Sequence, residues 1–255
     1  MAALGRQRPG QFLTTMVRLA SSVAAEAIGR RIVAGELTPG AALPNLEVLA
    51  EQFSLSRLTM RDAIKTLGSK GLLSSVRRRG TVVRPRSEWN CLDADVMLWQ
   101  VSDFPNAGFA RNLLELRRIV EPEAAALAAE RASGKALANI ELAFADMVSA
   151  ESRQVESMTA DIAFHYSILN GTRNEVIAAF APAIETSLLL TLSMQREVWP
   201  HKDHFIATHR AVVDAIRRGD AAAARTATGA LLNQAEIDAN DAFRRIDTDM
   251  SGPGA

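Results

Sequence analysis

The sequence predicts a mainly α-helical protein in two parts, and three features of the 255-residue chain lead to this prediction. Alanine and leucine are abundant and aromatic residues make up 5%, a composition that favours helices over sheets. Apolar residues recur at helical spacing through most of residues 107–245. Residues 1–87 carry 14 Lys and Arg against 5 Asp and Glu, whereas residues 88–255 carry 15 against 24. The net charge of zero therefore hides a basic part joined to an acidic one, which is typical of a nucleic-acid-binding module attached to another kind of domain.

Two short helical patterns separated by a tight break form the centre of the basic part. Residues 54–56 are too few for a loop, and Ser56 suits the N-cap of the second helix. Arg57, Arg61 and Lys65 follow one another at i, i+4 and i+8, so they share one face of that helix. The apolar positions are Leu46, Leu49, Ala50 and Phe53 in the first helix and Leu58, Ala63, Ile64 and Leu67 in the second. A helix, a tight turn and a basic helix are the outline of a helix-turn-helix motif that binds DNA.

The flanking segments predict that this motif belongs to a winged helix. Residues 21–35 are expected to form a preceding amphipathic helix that ends at Gly35. Its apolar face consists of Val23, Ala27, Ile28 and Ile32. Asn45 can cap the first helix of the motif, and Gly71 ends the second. Residues 72–76 and 81–85 then form two short strands, whose connecting tip is Arg77, Arg78, Arg79 and Gly80.

The domain organisation follows from these patterns. We predict a flexible tail over 1–17, the winged-helix domain over 18–86, a linker over 87–106, a helical domain over 107–246 and a disordered tail over 247–255. In the linker, Asp93 can cap a short helix. The helices of the C-terminal part are expected near 107–132, 135–151, 155–170, 174–197, 202–218 and 220–245. The fold class is thus a winged helix-turn-helix domain followed by an all-helical antiparallel bundle.

Several protein classes are excluded by composition. Cys91 is the only cysteine, so no internal disulfide framework exists and a reducing compartment is expected. The chain has no run of about 18 apolar residues that would span a bilayer. The N-terminal segment lacks the apolar core of a signal peptide. We therefore expect a cytoplasmic protein without a membrane partner.

The basic face of the second helix is the predicted DNA-reading surface. Arg57 lies at its start, the end that enters the major groove, where a guanidinium can bind guanine O6 and N7. Two arginines on a helix are, taken alone, more often a solvated face; the turn, the wing and the local charge favour DNA. The predicted DNA-contacting residues are Ser56, Arg57, Thr59 and Arg61 on the helix and Arg77, Arg78, Arg79 and Gly80 in the wing.

A candidate metal set lies in the acidic part. Asp161 and His165 are spaced i, i+4 on one helix, and His209 lies on a later one. A carboxylate with imidazoles is a donor set for Zn, Ni or Mn. A surface pair or a core contact explains the same spacing, so the pattern alone does not decide between a metal site, a surface pair and a core contact. His201 and His204, beside Pro200, are expected to take no part.

The N-terminal residues resemble the winged helix of the GntR family of bacterial transcription regulators. Three segments of residues 26–85 carry this resemblance: IVAGELTPGAALP, LSRLTMRDAIKTLGSKGL and RGTVV. The resemblance implies that Ser56, Arg57, Thr59, Arg61 and the wing hold operator DNA. This chain departs from the family pattern at Glu47, where many relatives have an arginine that contacts a phosphate, and at Arg78, where glycine is common.

Residues 107–245 resemble the FCD effector domain of the FadR subfamily. ELRRIVEPEAAALAAERAS, the Asp161–His165 spacing, Asn174 and the residues around His209 carry the resemblance. It implies that Asp161, His165 and His209 are three of four ligands to a divalent metal such as Zn, the fourth position being Leu231. Arg117 stands where the family uses an arginine to bind an effector carboxylate. A salt bridge to Glu121, four residues later, is the alternative for Arg117.

The segments RPRSEWNCLDADVMLWQV and LRRIVEPEAAALAAERAS further resemble the galactonate-operon repressor type within that subfamily. This resemblance implies a sugar acid such as an aldonate as the effector. We expect a repressor that binds a palindromic operator as a homodimer, because one winged helix covers too few base pairs. Another acid (a hydroxy acid, a uronate or a fatty-acid derivative) is the alternative effector. A metal-dependent enzyme and an architectural DNA binder without an effector are the alternatives of other classes.

Overall fold

A computed structural model describes residues 9–102, 107–150, 154–194 and 202–250. The chain divides into two compact units, Met1–Phe104 and Pro105–Ala255. The described part of the first unit contains helices and one hairpin, and that of the second contains helices alone. The mainly α fold class is therefore confirmed. The domain limits at residues 86 and 106 stay predictions.

The first unit is a winged helix. Its elements are α1 (Pro9–Val33), α2 (Leu46–Gln52), α3 (Arg57–Ser69), β1 (Leu73–Val76) and β2 (Gly80–Val83). The strands pair antiparallel from Leu73 opposite Val83 to Val76 opposite Gly80. Helix α3 ends because Gly71 adopts φ +78°, and a Cβ there would lie 2.6 Å from the carbonyl oxygen of Glu88.

Helix α1 begins earlier than the sequence suggested. It runs from Pro9, so residues 9–17 are helical and the tail expected over 1–17 is wrong for them; residues 1–8 lie outside the described residues. The Pro9-Gly10 pair suggests a break in structure when the sequence is considered alone. Proline is in fact well suited to the first turn of a helix, where no N–H is needed and its fixed φ is already helical.

Two apolar residues assigned to the core by periodicity are exposed. Val23 is 59% exposed and Leu58 is 63% exposed. Ala24 and Ala25 take the core position on α1, and Met60, fully buried, takes it on α3. The buried stripe of each helix is thus shifted by one or two residues. On α1, the small side chains of Ala24 and Ala25 suit the close packing against α3.

The predicted linker of residues 87–106 packs, through residue 102, into the winged-helix core. Helix α4 (Ala94–Ser102) buries Trp99, and Trp89 is buried just before it. Gly29 of α1 makes this possible, because a Cβ at that position would overlap the Trp99 ring. The polar residues around these tryptophans suggest a solvent-exposed linker. The two indole side chains nevertheless carry enough apolar surface to bury the segment.

Lys70 forms ion pairs with two acidic residues of the same segment. Its Nζ lies 2.8 Å from Asp93 Oδ1 and 2.7 Å from Asp95 Oδ2. Burial alone would lower the pKa of Lys70, but hydrogen bonds to both carboxylates raise it above its ordinary value. Asp93 also caps α4 as predicted, accepting from the backbone N–H of Asp95 and Val96.

Replacing Asp93 with alanine is expected to lower the free energy of unfolding of this unit by about 2–3 kcal/mol, because the helix cap and the contact with Lys70 are lost together. Denaturant titration followed by tryptophan fluorescence measures this, since two of the three tryptophans, Trp89 and Trp99, are buried here. Asp95→Ala is the matched control. It keeps the cap and removes an exposed partner, so less than about 1 kcal/mol is expected. Equal losses in the two variants would contradict the assigned role of Asp93.

The second unit is built from helices around one apolar core. They are α5 (Ala107–Arg131), α6 (Gly134–Ser149), α7 (Gln154–Gly171), α8 (Glu175–Ala178), α9 (Ala181–Met194), α10 (Lys202–Arg217) and α11 (Ala221–Met250). Helix α5 packs against α7 and α11, and α7 also packs against α6 and α9. Residues 247–250, expected in a disordered tail, continue α11 and make that expectation wrong for them. Residues 251–255 lie outside the described residues.

The single helix expected over residues 174–197 is two helices. Asn174 caps α8 through its side-chain oxygen, which accepts from Val176 and Ile177. Pro182 then lies in the first turn of α9. Because proline has no N–H and restricts the residue before it, it starts a helix more readily than it continues one. No described helix is long and apolar enough to cross a membrane.

Candidate functional site

The turn of the helix-turn-helix is closed by local hydrogen bonds. Ser54 adopts φ 53°, which reverses the chain after α2. Ser56 Oγ then accepts from the backbone N–H of Thr59 at 3.1 Å, which confirms the predicted N-cap of α3. Thr59 is 5% exposed, and its Oγ1 lies 2.8 Å from Ser56 Oγ. Both hydroxyls therefore serve the cap, and their phosphate contacts stay predictions.

The basic face of α3 is open to solvent. Arg57, Arg61 and Lys65 are all exposed. Arg57 Nη2 forms an ion pair with Glu47 Oε1 of α2, although ten residues separate them in sequence. The acid that departs from the family pattern thus contacts the arginine expected to read the operator.

The wing presents its three arginines at an exposed tip. Arg78 adopts φ 65°, in the left-handed region, and the N–H of Arg79 donates to the carbonyl of Val76 to close the turn. Arg79 Nη2 donates to the carbonyl oxygen of Gly40 at 3.0 Å, so this side chain is partly engaged in holding the wing. Gly80, the last predicted DNA contact, has φ 78°. The backbone at Arg78 explains why glycine suits this position.

Arg78→Gly is expected to raise the free energy of unfolding by about 0.5–1 kcal/mol, because relief of the left-handed backbone outweighs the greater entropy of glycine in the unfolded chain. The same variant is expected to bind DNA more weakly, since one charge is lost from the wing. Arg77→Gly is the control: it loses the same charge without a positive φ and is expected to destabilise. Denaturant titration and DNA binding at fixed salt measure both effects. A destabilised Arg78→Gly variant would contradict the strain argument.

The predicted metal residues converge in the interior of the second unit. Asp161 and His165 lie on α7 and His209 on α10, and one donor atom from each falls within a 4.8 Å group. Asp161 Oδ1 is 3.1 Å from His209 Nε2 and 3.4 Å from His165 Nε2. All three side chains are buried. The alternative of a surface pair between Asp161 and His165 is therefore wrong.

The outer nitrogen of each imidazole lies close to an oxygen atom. His209 Nδ1 lies 2.7 Å from the backbone carbonyl of Phe205, and His165 Nδ1 lies 2.6 Å from Glu121 Oε2. Acceptors at Nδ1 place the lone pair of a neutral imidazole on Nε2. Both Nε2 atoms therefore point toward Asp161, as ligands to a shared ion would.

Arg117 and Glu121 complete the cluster. Arg117 Nε donates to Glu121 Oε1 at 2.5 Å, and Arg117 Nη2 lies 3.4 Å from His165 Nε2. Arg117 is 1% exposed, and its Nη1 finds no hydrogen-bond partner among the described residues. The salt bridge considered for Arg117 is therefore present, and Nη1 of the guanidinium remains without a described hydrogen-bond partner.

Four buried charges of this cluster balance one another. Burial would raise the pKa of Asp161, but hydrogen bonds from His165 and His209 hold it well below its usual range. Burial also opposes ionisation of Glu121, yet Arg117 and His165 lower its pKa to about 2. Burial would lower the pKa of His165, but Glu121 and Asp161 raise it to about 9. Two carboxylates thus face one guanidinium and one imidazolium, and a metal would have to displace the proton on His165.

A small cavity adjoins this cluster. Glu121, Phe164, His165 and Leu231 are among its lining residues. Its volume of about 10 Å³ leaves room for roughly one water molecule. Leu231, at the position of the fourth family ligand, lines the same cavity as His165.

Sequence reasoning considered Glu121 only as a salt-bridge partner of Arg117 and missed its contact with His165. The i, i+4 spacing from Arg117 was a signal for contact, but nothing local indicated that the pair would be buried against His165. His204 lies on α10 and is exposed, and His201 lies outside the described residues; their expected lack of a role stays a prediction.

Comparison with known proteins identifies the family. The model of the gntR family of bacterial regulatory proteins matches residues 20–83, and that of the FCD domain matches residues 112–234. The galactonate operon transcriptional repressor of Escherichia coli K12 is 34% identical over 208 residues, covering 78% of this chain and 88% of that protein. The chain belongs to the GntR family. The E. coli regulator YieP, whose function is uncharacterized, is 32% identical over 83% of this chain and 92% of its own length.

Among solved structures, Lar, which controls expression of the Listeria monocytogenes agr system, has a TM-score of 0.61 at 20% identity and covers 87% of this chain and 96% of its own. This likeness supports the fold alone. Family membership makes the chain a GntR/FCD transcription regulator with a DNA-binding winged helix, and not an enzyme.

Proposed function

We propose that this GntR regulator is a cytoplasmic repressor that binds a palindromic operator as a homodimer and is controlled by a small carboxylate bound beside a divalent metal. The observation that carries the proposal is the buried cluster around Asp161, where three ligand atoms and a spare guanidinium donor converge. Groups of this kind are costly to bury and are expected where a ligand satisfies them.

The donor set suits a divalent metal. One carboxylate and two imidazoles are ligands that zinc and related ions accept, and one donor atom from each lies within 4.8 Å of the others. Asp161, His165 and His209 would hold the ion, which when bound would supply a Lewis-acidic position for ligand oxygens. Leu231 offers no donor, so water or effector oxygens would complete the coordination.

Arg117 is the proposed carboxylate-binding residue. Its Nη1 is a buried donor without a described partner, and a guanidinium–carboxylate hydrogen bond is among the strongest that a side chain forms. The cavity beside Glu121 and Leu231 is much smaller than the roughly 300 Å³ of a typical ligand site. Effector binding would therefore push α5, α7 and α11 apart. Such a change couples the acid to DNA release if the expanded unit binds the acid better than the contracted one.

A sugar acid such as an aldonate is the proposed effector. The support is the relative named as the galactonate operon repressor, together with a site that suits a carboxylate and an adjacent hydroxyl. The homodimer follows from the DNA, because one winged helix covers too few base pairs for a specific site. Another hydroxy acid or a uronate suits the same chemistry and is an outcome of the screen below.

The test is a thermal-shift screen of the metal-loaded protein against hexonates, uronates and hydroxy acids, followed by DNA binding with each hit. The operator is first selected from random duplexes with the full chain. We expect one class of acid to raise the melting temperature and to weaken operator binding at least tenfold. If no acid changes both quantities, the effector proposal is wrong and the regulator acts without one.

Removal of a ligand is expected to lower metal occupancy. His165→Ala should weaken metal binding at least tenfold, because one of three protein ligands is lost, as measured by calorimetry and elemental analysis. Leu231→His should tighten binding by about 10–100-fold by supplying a fourth ligand. His204→Ala, on the same helix as His209 but exposed, is the control and should change nothing. Unaltered occupancy in His165→Ala would exclude this metal site.

A further inference from the structure

The ion pair between Glu47 and Arg57 lies on the DNA-reading surface without supporting the fold. Glu47 is in the first turn of α2, and Arg57 is the first residue of α3. Their side chains are 52% and 65% exposed. An exposed pair of this kind adds little to stability, because water screens it and two long side chains lose rotamer freedom. Its effect is therefore expected in DNA binding, where both groups lose water.

A carboxylate beside Arg57 affects two kinds of DNA contact unequally. If the guanidinium binds a phosphate, a full negative charge is brought next to Glu47, and the two anions repel one another. If it binds guanine O6 and N7, the acceptors carry only partial charges, and the carboxylate can keep its contact with the other side of the guanidinium. Glu47 therefore opposes phosphate contact more strongly than base contact.

The place of Arg57 in the fold also favours contact with a base. Arg57 is the first residue after the Ser56 cap, at the end of α3 that enters the major groove in a helix-turn-helix. Glu47 reaches it from the other helix of the motif, so the guanidinium is held from outside α3. A long side chain that is otherwise free would sample many phosphates on non-operator DNA.

We propose that Glu47 is a specificity-determining residue that acts through Arg57: it restrains the guanidinium and penalises its contact with phosphates, so that Arg57 favours guanine. The inference rests on the proposed binding of a specific operator. Glu47 itself is a positioning residue under this proposal and contacts no base.

The experiment compares the full-length protein with Glu47→Gln, which keeps the shape and removes the charge. Sites are selected from random duplexes with each protein, and dissociation constants are measured over a range of salt for the wild-type site and a scrambled duplex. We expect Glu47→Gln to bind the scrambled duplex at least threefold more tightly. Its salt dependence should steepen by about 1.8 in log–log slope, which is about 0.9 for the added phosphate contact of each protomer of the homodimer. The operator should gain less, so the specificity ratio should fall.

Two controls separate this mechanism from others. Glu51→Gln removes an exposed acid from the same helix and should leave the specificity ratio unchanged. Glu47→Gln in the Arg57→Ala background should also leave the ratio unchanged, because the residue acts through Arg57.

An unchanged ratio in Glu47→Gln overturns the proposal, as does an effect that persists without Arg57, which would mean that Glu47 contacts a base directly. A wild-type protein that selects no sequence contradicts the operator-binding function itself, and so differs from a failure of the inference alone.

Discussion

Replacing Arg57 with alanine is expected to weaken operator binding by about 30-fold or more while the protein keeps its thermal stability. A bidentate arginine–guanine contact contributes about 1–3 kcal/mol of discrimination, and a homodimer loses it in both half-sites. Stability is preserved because the side chain is 65% exposed and its only described ion pair, with Glu47, lies at the surface. Fluorescence anisotropy with the selected operator and thermal denaturation measure the two quantities.

The Arg57→Lys variant separates the effect of the charge from the effect of the guanidinium shape. It retains the charge but not the planar fork, so binding to a scrambled duplex should be nearly unchanged while operator binding falls. An Arg57→Ala variant that still prefers the operator over the scrambled duplex would show that another residue reads the sequence.

Replacing Arg117 with alanine is expected to destabilise the helical unit by about 3–5 kcal/mol, because the carboxylate of Glu121 loses the guanidinium that balances it in the interior. Arg117 is 1% exposed and Glu121 3% exposed, so water cannot take the place of the lost partner. Denaturant titration followed by circular dichroism reports on this helical unit. Arg118→Ala, which removes an exposed arginine paired with Glu236, is the control and should cost less than about 1 kcal/mol.

The double variant Arg117→Met with Glu121→Gln separates folding from effector binding. Removing both charges should recover much of the lost stability, since a neutral pair leaves no unbalanced charge. Operator binding should be retained, because the winged helix is unchanged, but the response to the acid should be absent. A double variant that still releases DNA on addition of the acid would place the carboxylate site elsewhere.

Features of the fold that depend on neighbouring residues could be predicted from the sequence. Asn45 and Ser56 cap α2 and α3 as expected, and Gly71 ends α3 with a positive φ. These signals are local, because a cap or a left-handed residue is determined by atoms within a few positions. The docking of α4 depends instead on Gly29 meeting Trp99 across seventy residues, which no local pattern records.

Likewise, only some residues of the candidate site could be predicted from the sequence. Spacing placed Asp161 and His165 on one face of a helix, His209 was a further imidazole on a later helix, and resemblance to a family added Arg117. Neither revealed that Glu121 joins the two groups, because its burial depends on how α5 packs against α7. The contact between Glu47 and Arg57 likewise crosses a turn, so the sequence identified Glu47 only as a departure from the family pattern.

The sharing of one carboxylate by Arg117 and His165 has an evolutionary consequence. A lineage that lost either partner would leave Glu121 with an unbalanced charge in the interior, so single substitutions at these three positions should be strongly selected against. Removing the charged set without leaving an unbalanced charge would require two substitutions at once. Adaptation to a new effector is therefore expected to proceed at uncharged lining residues such as Thr228 and Leu231, which can vary one at a time without disturbing the charge balance.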